Sequence, residues 1–529
     1  MQTMNRTRAS LSQRTSSLLL LTALCLATGS SAVAQSVQHL SVPFPGGMPG
    51  HPVITGITPA SNNIVLTWDG PSGYYQVYEK RDLSSAQWTP VGGPTNLSRR
   101  AVVSGAGSNA LFRISGPAPH YAGWQNCAEC HSSTYEDVVQ TAHAGALNTL
   151  KAVHQDTNRN CLVCHTVGFG VSSGFTTAAA TPQLAGVQCE NCHGVAANHA
   201  ANPGDVIAKP RVELAATVCG GCHSLTYTNW AASGHSVVVE DLNPTNRIDA
   251  CGRCHSGSVR ESLVEDRPLP AGDANVPIVC ATCHDPHTAT GNPAQLLNPT
   301  FSTNNYSITT SGSFQSQYNP DINLCAQCHN RRGAAWTDTS RAPHHSPQYN
   351  ILLGNVGELE SGSATYDPAT HGMGITNQCV GCHMQKGAAQ DQYHLPTHNH
   401  SFQVDTFTRC VPCHGDQAAG LVDFTGSLIT NQITVINTKL NEWALTKAPD
   451  ALRVKYGTFA WEFTTPGDLS PGGTGPNATE QALIPANIRK ARFDLYLVLY
   501  DGSLGVHNGP YSFKLLDAAQ NWVQQELNR

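Results

Sequence analysis

The chain has 529 residues and only 12% of them are charged, yet it carries 19 cysteines and 24 histidines. Soluble domains are usually about 25% charged, so solvation alone does not account for this composition. Thirty Lys and Arg against 36 Asp and Glu give a formal charge of -6, which leaves no basic excess for a phosphate backbone and argues against nucleic acid as a partner.

Residues 1–34 hold Arg6, Arg8 and Arg14 without an acid, then the apolar run Ser17 to Ala27, then Ala32-Val33-Ala34. A basic start, a short apolar stretch and an A-x-A site predict a secretory signal peptide cleaved near Ala34. The apolar run is shorter than the roughly 20 residues of a spanning helix, so the mature chain is expected in the periplasm or outside the cell, not across the membrane. Residues 35–52 are rich in Pro and Gly and read as a linker.

From 53 to 117, runs of β-branched and aromatic residues (Ile64 to Trp68, Tyr74 to Tyr78, Gln87 to Thr89, Ala101 to Val103, Leu111 to Ile114) alternate with Asp69-Gly70-Pro71, Gly92-Gly93-Pro94 and Gly105-Ala106-Gly107. Strands and turns in that rhythm predict a small N-terminal all-β sandwich. It contains no cysteine, so it is expected to dock or space rather than to bind a cofactor.

Nine C-x-x-C-H motifs then define a domain over 120–420. They are Cys127, Cys130 and His131; Cys161, Cys164 and His165; Cys189, Cys192 and His193; Cys219, Cys222 and His223; Cys251, Cys254 and His255. The series continues with Cys280, Cys283 and His284; Cys325, Cys328 and His329; Cys379, Cys382 and His383; Cys410, Cys413 and His414. Eighteen cysteines are used, and Cys25 lies in the signal peptide. C-x-x-C-H is the attachment motif of c-type haem: two thiols one turn apart reach two vinyl groups of one porphyrin edge, and the following imidazole becomes the proximal iron ligand. Zinc sites or disulfides would leave a histidine after every second cysteine unexplained. Nine covalently bound haem c groups are therefore expected.

Fifteen histidines remain after the nine proximal ones, whereas the chain has five methionines, so bis-His, low-potential ligation is expected for most irons. The candidate distal ligands are His143, His154, His199, His235, His287, His345, His371, His400 and His507. His287 follows His284 by three residues, a reach of at most about 10 Å, too short to round the porphyrin to the far face of the same iron. It should serve a neighbouring haem.

Regular periodicity returns after the last motif, in a C-terminal helical region over 421–529. Ile429, Ile433, Ile436, Leu440 and Trp443 recur at steps of four and three and predict an amphipathic helix over 425–446. A Gly/Pro loop from Pro466 to Asn477 precedes two further helices, 488–500 and 511–527, with His507 on the turn between them. The fold class is thus mainly α with extensive loops wrapped around a packed haem array, a small β sandwich in front and C-terminal helices packing on the haem core.

The strings GVQCENCHG followed by NHA, CGGCH followed by WAASGH, CATCHDPH, APHHSPQYNILLG, CVGCHM and GVHN resemble the multihaem cytochrome c superfamily. That group holds the tetrahaem electron carriers of ammonia oxidisers, the pentahaem ammonia-forming nitrite reductases, hydroxylamine oxidoreductases and octahaem reductases. The likeness runs from about 120 to 525 and leaves out the β domain. By resemblance His235 and His287 fall at distal-ligand positions, and His507 matches the histidine that opens the C-terminal helix. The pentahaem reductases anchor their catalytic haem through a motif ending in Lys, whereas all nine motifs here end in His.

The expected function is an exported electron-transfer conduit with no catalytic residue, working with redox partner proteins such as other cytochromes or quinol-linked membrane complexes; association into a homo-oligomer is left open. Two alternatives stand beside it. One is a reductase or oxidase of small nitrogen or sulfur compounds at one five-coordinate haem, and the other is a subunit of a haem-lined extracellular filament.

Overall fold

The computed structural model describes residues 53–529 apart from 61–62, 70–74, 82–86, 96–99, 105–109, 116–119, 206–207, 213, 243–247, 265–266, 270–275, 298–323, 364–366, 376–377 and 389–395. The predicted signal peptide and linker, His39, His51 and His394 lie outside the described residues.

The N-terminal domain has six strands, β1 (Val53–Ala60), β2 (Asn63–Asp69), β3 (Tyr75–Lys80), β4 (Thr89–Thr95), β5 (Arg100–Ser104) and β6 (Leu111–Ser115). They form two antiparallel sheets, ordered β1-β2-β5 and β4-β3-β6. Alternating side chains from both sheets, Leu66 and Trp68, Tyr75 and Val77, Ala101 and Val103, and Ile114, make one core. β1 is absent from the sequence reading because Gly56 and Pro59 interrupt its alternation, and its register against β2 shifts between Ile54 and Gly56. Gly92, Gly93 and Pro94 are not a turn but lie inside β4, an edge strand that pairs only with β3, where a missing N–H is tolerated.

Between 120 and 414 the described helices are at most eight residues long and are joined by turns. Such short helices are marginal alone, so their order depends on what they pack around. The C-terminal region is different. Helices Ala418–Thr446, Asp450–Tyr456, Ala486–Asp501 and Gly509–Leu527 enclose an apolar core. The predicted positions Ile429, Ile433, Ile436, Leu440 and Trp443 all point into it. The first helix starts earlier than its apolar stripe, at Ala418, because its first turns are mostly exposed and carry no periodic signal.

Buried polar groups tie this bundle to the preceding loops. Arg492 is fully buried and donates to the Trp461 and Glu462 carbonyls at 2.8 and 2.7 Å and to Gln481 Oε1 at 2.9 Å, with its guanidinium 4.0 Å from the Phe463 ring. Tyr496 donates its hydroxyl to Glu462 Oε1, and Tyr511 donates to the Val356 carbonyl at 2.8 Å. Gly502 takes the left-handed conformation that ends the Ala486–Asp501 helix, and Asn508 caps the next by accepting the Tyr511 N–H. The turn between them, which carries His507, is fixed at both ends.

Candidate haem-binding array

Each motif is a single tight turn. The proximal histidine N–H bonds back to the first cysteine carbonyl at 2.8 Å for His131 and Cys127, and at 2.9 Å for His223 and Cys219, His284 and Cys280, His329 and Cys325, and His414 and Cys410. That i to i+4 closure puts two thiols and an imidazole at one edge of the turn. All eighteen motif thiols are free of disulfides. No group of three or more His, Cys, Asp or Glu side chains converges on one point among the described residues, as a structural zinc site would require.

Seven proximal imidazoles face a second imidazole from a distant part of the chain. Ring centroids are 6.0 Å apart for His193 and His287, 6.1 Å for His223 and His143, 5.9 Å for His255 and His344, and 6.3 Å for His284 and His400. They are 6.1 Å apart for His329 and His235, 6.1 Å for His383 and His507, and 5.9 Å for His414 and His371. Two ring nitrogens each about 2.0 Å from a shared metal place the centroids about 6 Å apart. The spacing therefore fits an iron between each pair.

The rings are also held in the tautomer that ligation needs. His165, His193, His284 and His383 donate Nδ1–H to the carbonyls of Ala146, Arg211, Ala294 and Phe402 at 2.7, 2.8, 2.7 and 3.0 Å. His371 and His400 do so to Val506 and His398 at 2.6 and 2.9 Å, and His344 to the Ser346 hydroxyl at 3.1 Å. A carbonyl can only accept, so Nε2 keeps its lone pair for the metal. Burial first, then the charge of His329, lowers the His235 pKa to about 4, and burial followed by Arg332 lowers His344 to about 3, so both are neutral at neutral pH.

The remaining candidates are placed otherwise. His344, not the expected His345, faces His255; His345 is exposed, stacks at 3.8 Å on Tyr500 and lies 4.0 Å from Asp468. Nothing local in the doublet tells the two apart. His154 is exposed at the end of a short helix in a left-handed conformation, and His199 sits half-buried on helix Ala197–Ala201 with Nδ1 unbonded. Neither faces a proximal ring, so His131 and His165 have no imidazole opposite them among the described residues. His398, not among the expected ligands, lines the cavity and donates Nδ1–H to the Met384 carbonyl at 2.6 Å.

A continuous cavity of about 3480 Å³, lined by side chains from eight of the nine motifs, runs through the domain. Ordinary ligand pockets reach only about 1,000 Å³. The motif thiols show which motifs are neighbours. Cys127 is hydrogen-bonded to Cys189, Cys219 to Cys280, and Cys254 to Cys328. Cys192 lies within reach of the charge of Cys219, Cys283 within that of Cys325 and Cys328, and Cys382 within that of Cys410. Burial lowers the pKa of His223 and His329; smaller contributions come from His284 and His165 on the first, and from His383 and His507 on the second. The donor set, the spacing and the cavity fit haem c.

Comparison with known proteins agrees. Residues 126–194 and 324–415, which hold motifs 1 to 3 and 7 to 9, match the family "Cytochrome c554 and c-prime". The chain is 32% identical over 93 residues to cytochrome c-554 of Nitrosomonas europaea, covering 15% of this chain and 40% of that protein. It is 24% identical over 323 residues to the C-type polyheme cytochrome OmcB of Geobacter sulfurreducens, covering 55% of this chain and 39% of that one. The chain thus spans about two fifths of the length of the curated relatives it matches. The fold is similar to that of the outer cell wall cytochrome OcwA, with a TM-score of 0.50 and 19% identity, covering 76% of this chain and 100% of that one. Among the described residues no helix is long and apolar enough to cross a membrane. Its motifs and these relatives support placing the chain in the multihaem cytochrome c superfamily.

Proposed function

We propose that the chain is an exported nonahaem electron conduit. The observation that carries the reading is the set of seven imidazole pairs 5.9 to 6.3 Å apart, six of them lining one cavity. Haem c bound at each motif supplies reversible one-electron iron chemistry. The protein's part is spacing, axial ligation and exclusion of water. A paired imidazole would occupy the coordination position that a substrate needs, and at His193, His284, His344, His371, His383 and His400 an Nδ1 bond holds the ring.

Thiol hydrogen bonds, and the charge influence of other thiols and imidazoles on one another, support an order. Motifs 1, 3, 4, 6, 7, 8 and 9 form a line, with motif 2 beside motif 4 and motif 5 beside motif 7. The two ends, motifs 1 and 9, hold the two exposed cysteines, Cys130 and Cys413. Electrons enter and leave at those ends, to redox partners such as other cytochromes or quinol-linked membrane complexes. Protein-film voltammetry on the loaded chain tests this: nine electrons per chain should exchange with the electrode as one connected pool. A response from only a fraction of the haems would defeat the reading.

A second reading, reduction of a small nitrogen or sulfur compound, is favoured by one observation. His165 lines the cavity with Nδ1 held by the Ala146 carbonyl, and no second imidazole faces it among the described residues. Steady consumption of nitrite or hydroxylamine by the reduced protein would select this reading.

A further inference from the structure

The Nδ1 partner of an axial imidazole sets how strongly that ring donates to its iron. For His165, His193, His284, His371, His383 and His400 the partner is a backbone carbonyl, and for His344 a hydroxyl. His507 is different. Its Nδ1 lies 2.7 Å from Asp501 Oδ1, and the Asp501 side chain is 1% exposed. His255 also approaches a carboxylate, Asp241, but at 3.3 Å with that side chain 68% exposed, and it shares its Nδ1 with the Val238 carbonyl. Solvent screens that second contact and hardly screens the first.

The Asp501 site is built. The residue ends the helix Ala486–Asp501, with Gly502 turning the chain. Its second oxygen takes the Ser503 hydroxyl, and Ser503 Oγ in turn accepts the His507 N–H at 3.1 Å. Gln348 Nε2 donates to the Tyr500 and Asp501 carbonyls at 3.2 and 3.3 Å. Ser503 links the carboxylate to the His507 backbone, and Gln348 fixes the main chain at the helix end. A buried carboxylate at a helix C-terminus sits against the negative end of the helix dipole, so it depends on the His507 N–H for stabilisation.

We propose that Asp501 is a potential-setting residue, whose carboxylate draws on the His507 Nδ1 proton and makes the haem of motif 8 a low-potential step next to the motif 9 end. This rests on the bis-His conduit reading. A ring with more imidazolate character is a stronger donor and stabilises ferric over ferrous iron. Motif 8 is the link between motif 9 and motifs 1 to 7, through Cys382 and Cys410 on one side and His329 on the other. An electron leaving the larger pool for the motif 9 end must first climb that step. The array thereby holds its electrons against chance contacts at the exposed end.

Asp501→Asn in the full haem-loaded protein is the test, because the amide oxygen still accepts the Nδ1–H while the charge is gone. A potentiometric titration read by electron paramagnetic resonance should show the lowest-potential component, one of nine, moving up with the number of low-spin haems unchanged. Asp241→Asn should leave the titration as it was. In the unmodified protein one low-spin haem should show a narrower g spread than the rest, a measurement that does not depend on the variant folding. An unmoved titration in Asp501→Asn, a new high-spin signal there, or a uniform g spread in the unmodified protein each overturns the proposal. His507→Ala separates the premise: no new high-spin signal in that variant would defeat the axial role of His507 and with it this part of the conduit reading.

Discussion

His344 and His345 are adjacent, yet one ring lies 5.9 Å from His255 and the other rests on Tyr500. The difference predicts opposite outcomes for two similar substitutions. His344→Ala should convert one low-spin haem to high-spin, since no other imidazole stands opposite His255 among the described residues. His345→Ala should leave the count unchanged and at most loosen the contact with Tyr500. Electron paramagnetic resonance of the oxidised variants reads both. At this scale the sequence is informative wherever ligand and cofactor are covalently local: every proximal histidine follows its cysteine directly. The distal side is set by tertiary distance. The three-residue reach that separates His287 from His284 can be argued on a sequence, but its partner His193, the choice between His344 and His345, and the Asp501 carboxylate cannot.

The C-terminal bundle is the element that turns stability into ligation. Its core holds its helices, and the turn between the last two carries His507. Arg492→Met removes buried bonds to the Trp461 and Glu462 carbonyls and to Gln481 and takes a positive charge away from the surroundings of buried Glu462. Breaking such a buried network costs roughly 3–5 kcal/mol. The variant should therefore unfold earlier on heating, and loss of helical circular dichroism should coincide with loss of one low-spin haem. If the haem signal persisted after the helices melted, His507 would not be its ligand. The bundle was legible in the steps of four and three from Ile429 to Trp443, because its core is made of side chains. The short helices between 120 and 414 gave no such period, since none of those described exceeds eight residues and many of their apolar side chains line the cavity. The β domain falls between these cases. It has its own core around Leu66, Trp68 and Tyr75, so deleting 53–117 should leave the visible spectrum unchanged and alter only partner binding or export. Lost haem incorporation on deletion would make it part of the array.

At the scale of the whole molecule, nine motifs whose eighteen thiols lie outside any disulfide predict nine covalent haems, and denaturing mass spectrometry of the mature protein should count them. CVPCH, with Pro412 inside the motif, is the one whose use a count of eight would first put in question. Ligation is less uniform than attachment. Thirteen histidines remain for distal duty once His39 and His51 are set aside as part of the post-signal stretch, and number alone suggests that every iron could be six-coordinate. The geometry pairs seven. His131 lies at one end of the line, and His165 lies inside the cavity with its ring already oriented by Ala146 and no imidazole opposite among the described residues. A ferric iron with one strong axial ligand is high-spin, whereas one between two imidazoles is low-spin. The oxidised protein should accordingly give a low-spin signal from at least seven haems and a high-spin signal that cyanide converts to low-spin. His165→Met should disturb that high-spin component and leave the seven paired haems as they were. An entirely low-spin spectrum would mean that His131 and His165 gain distal ligands, and the reductase reading would lose the observation that favours it.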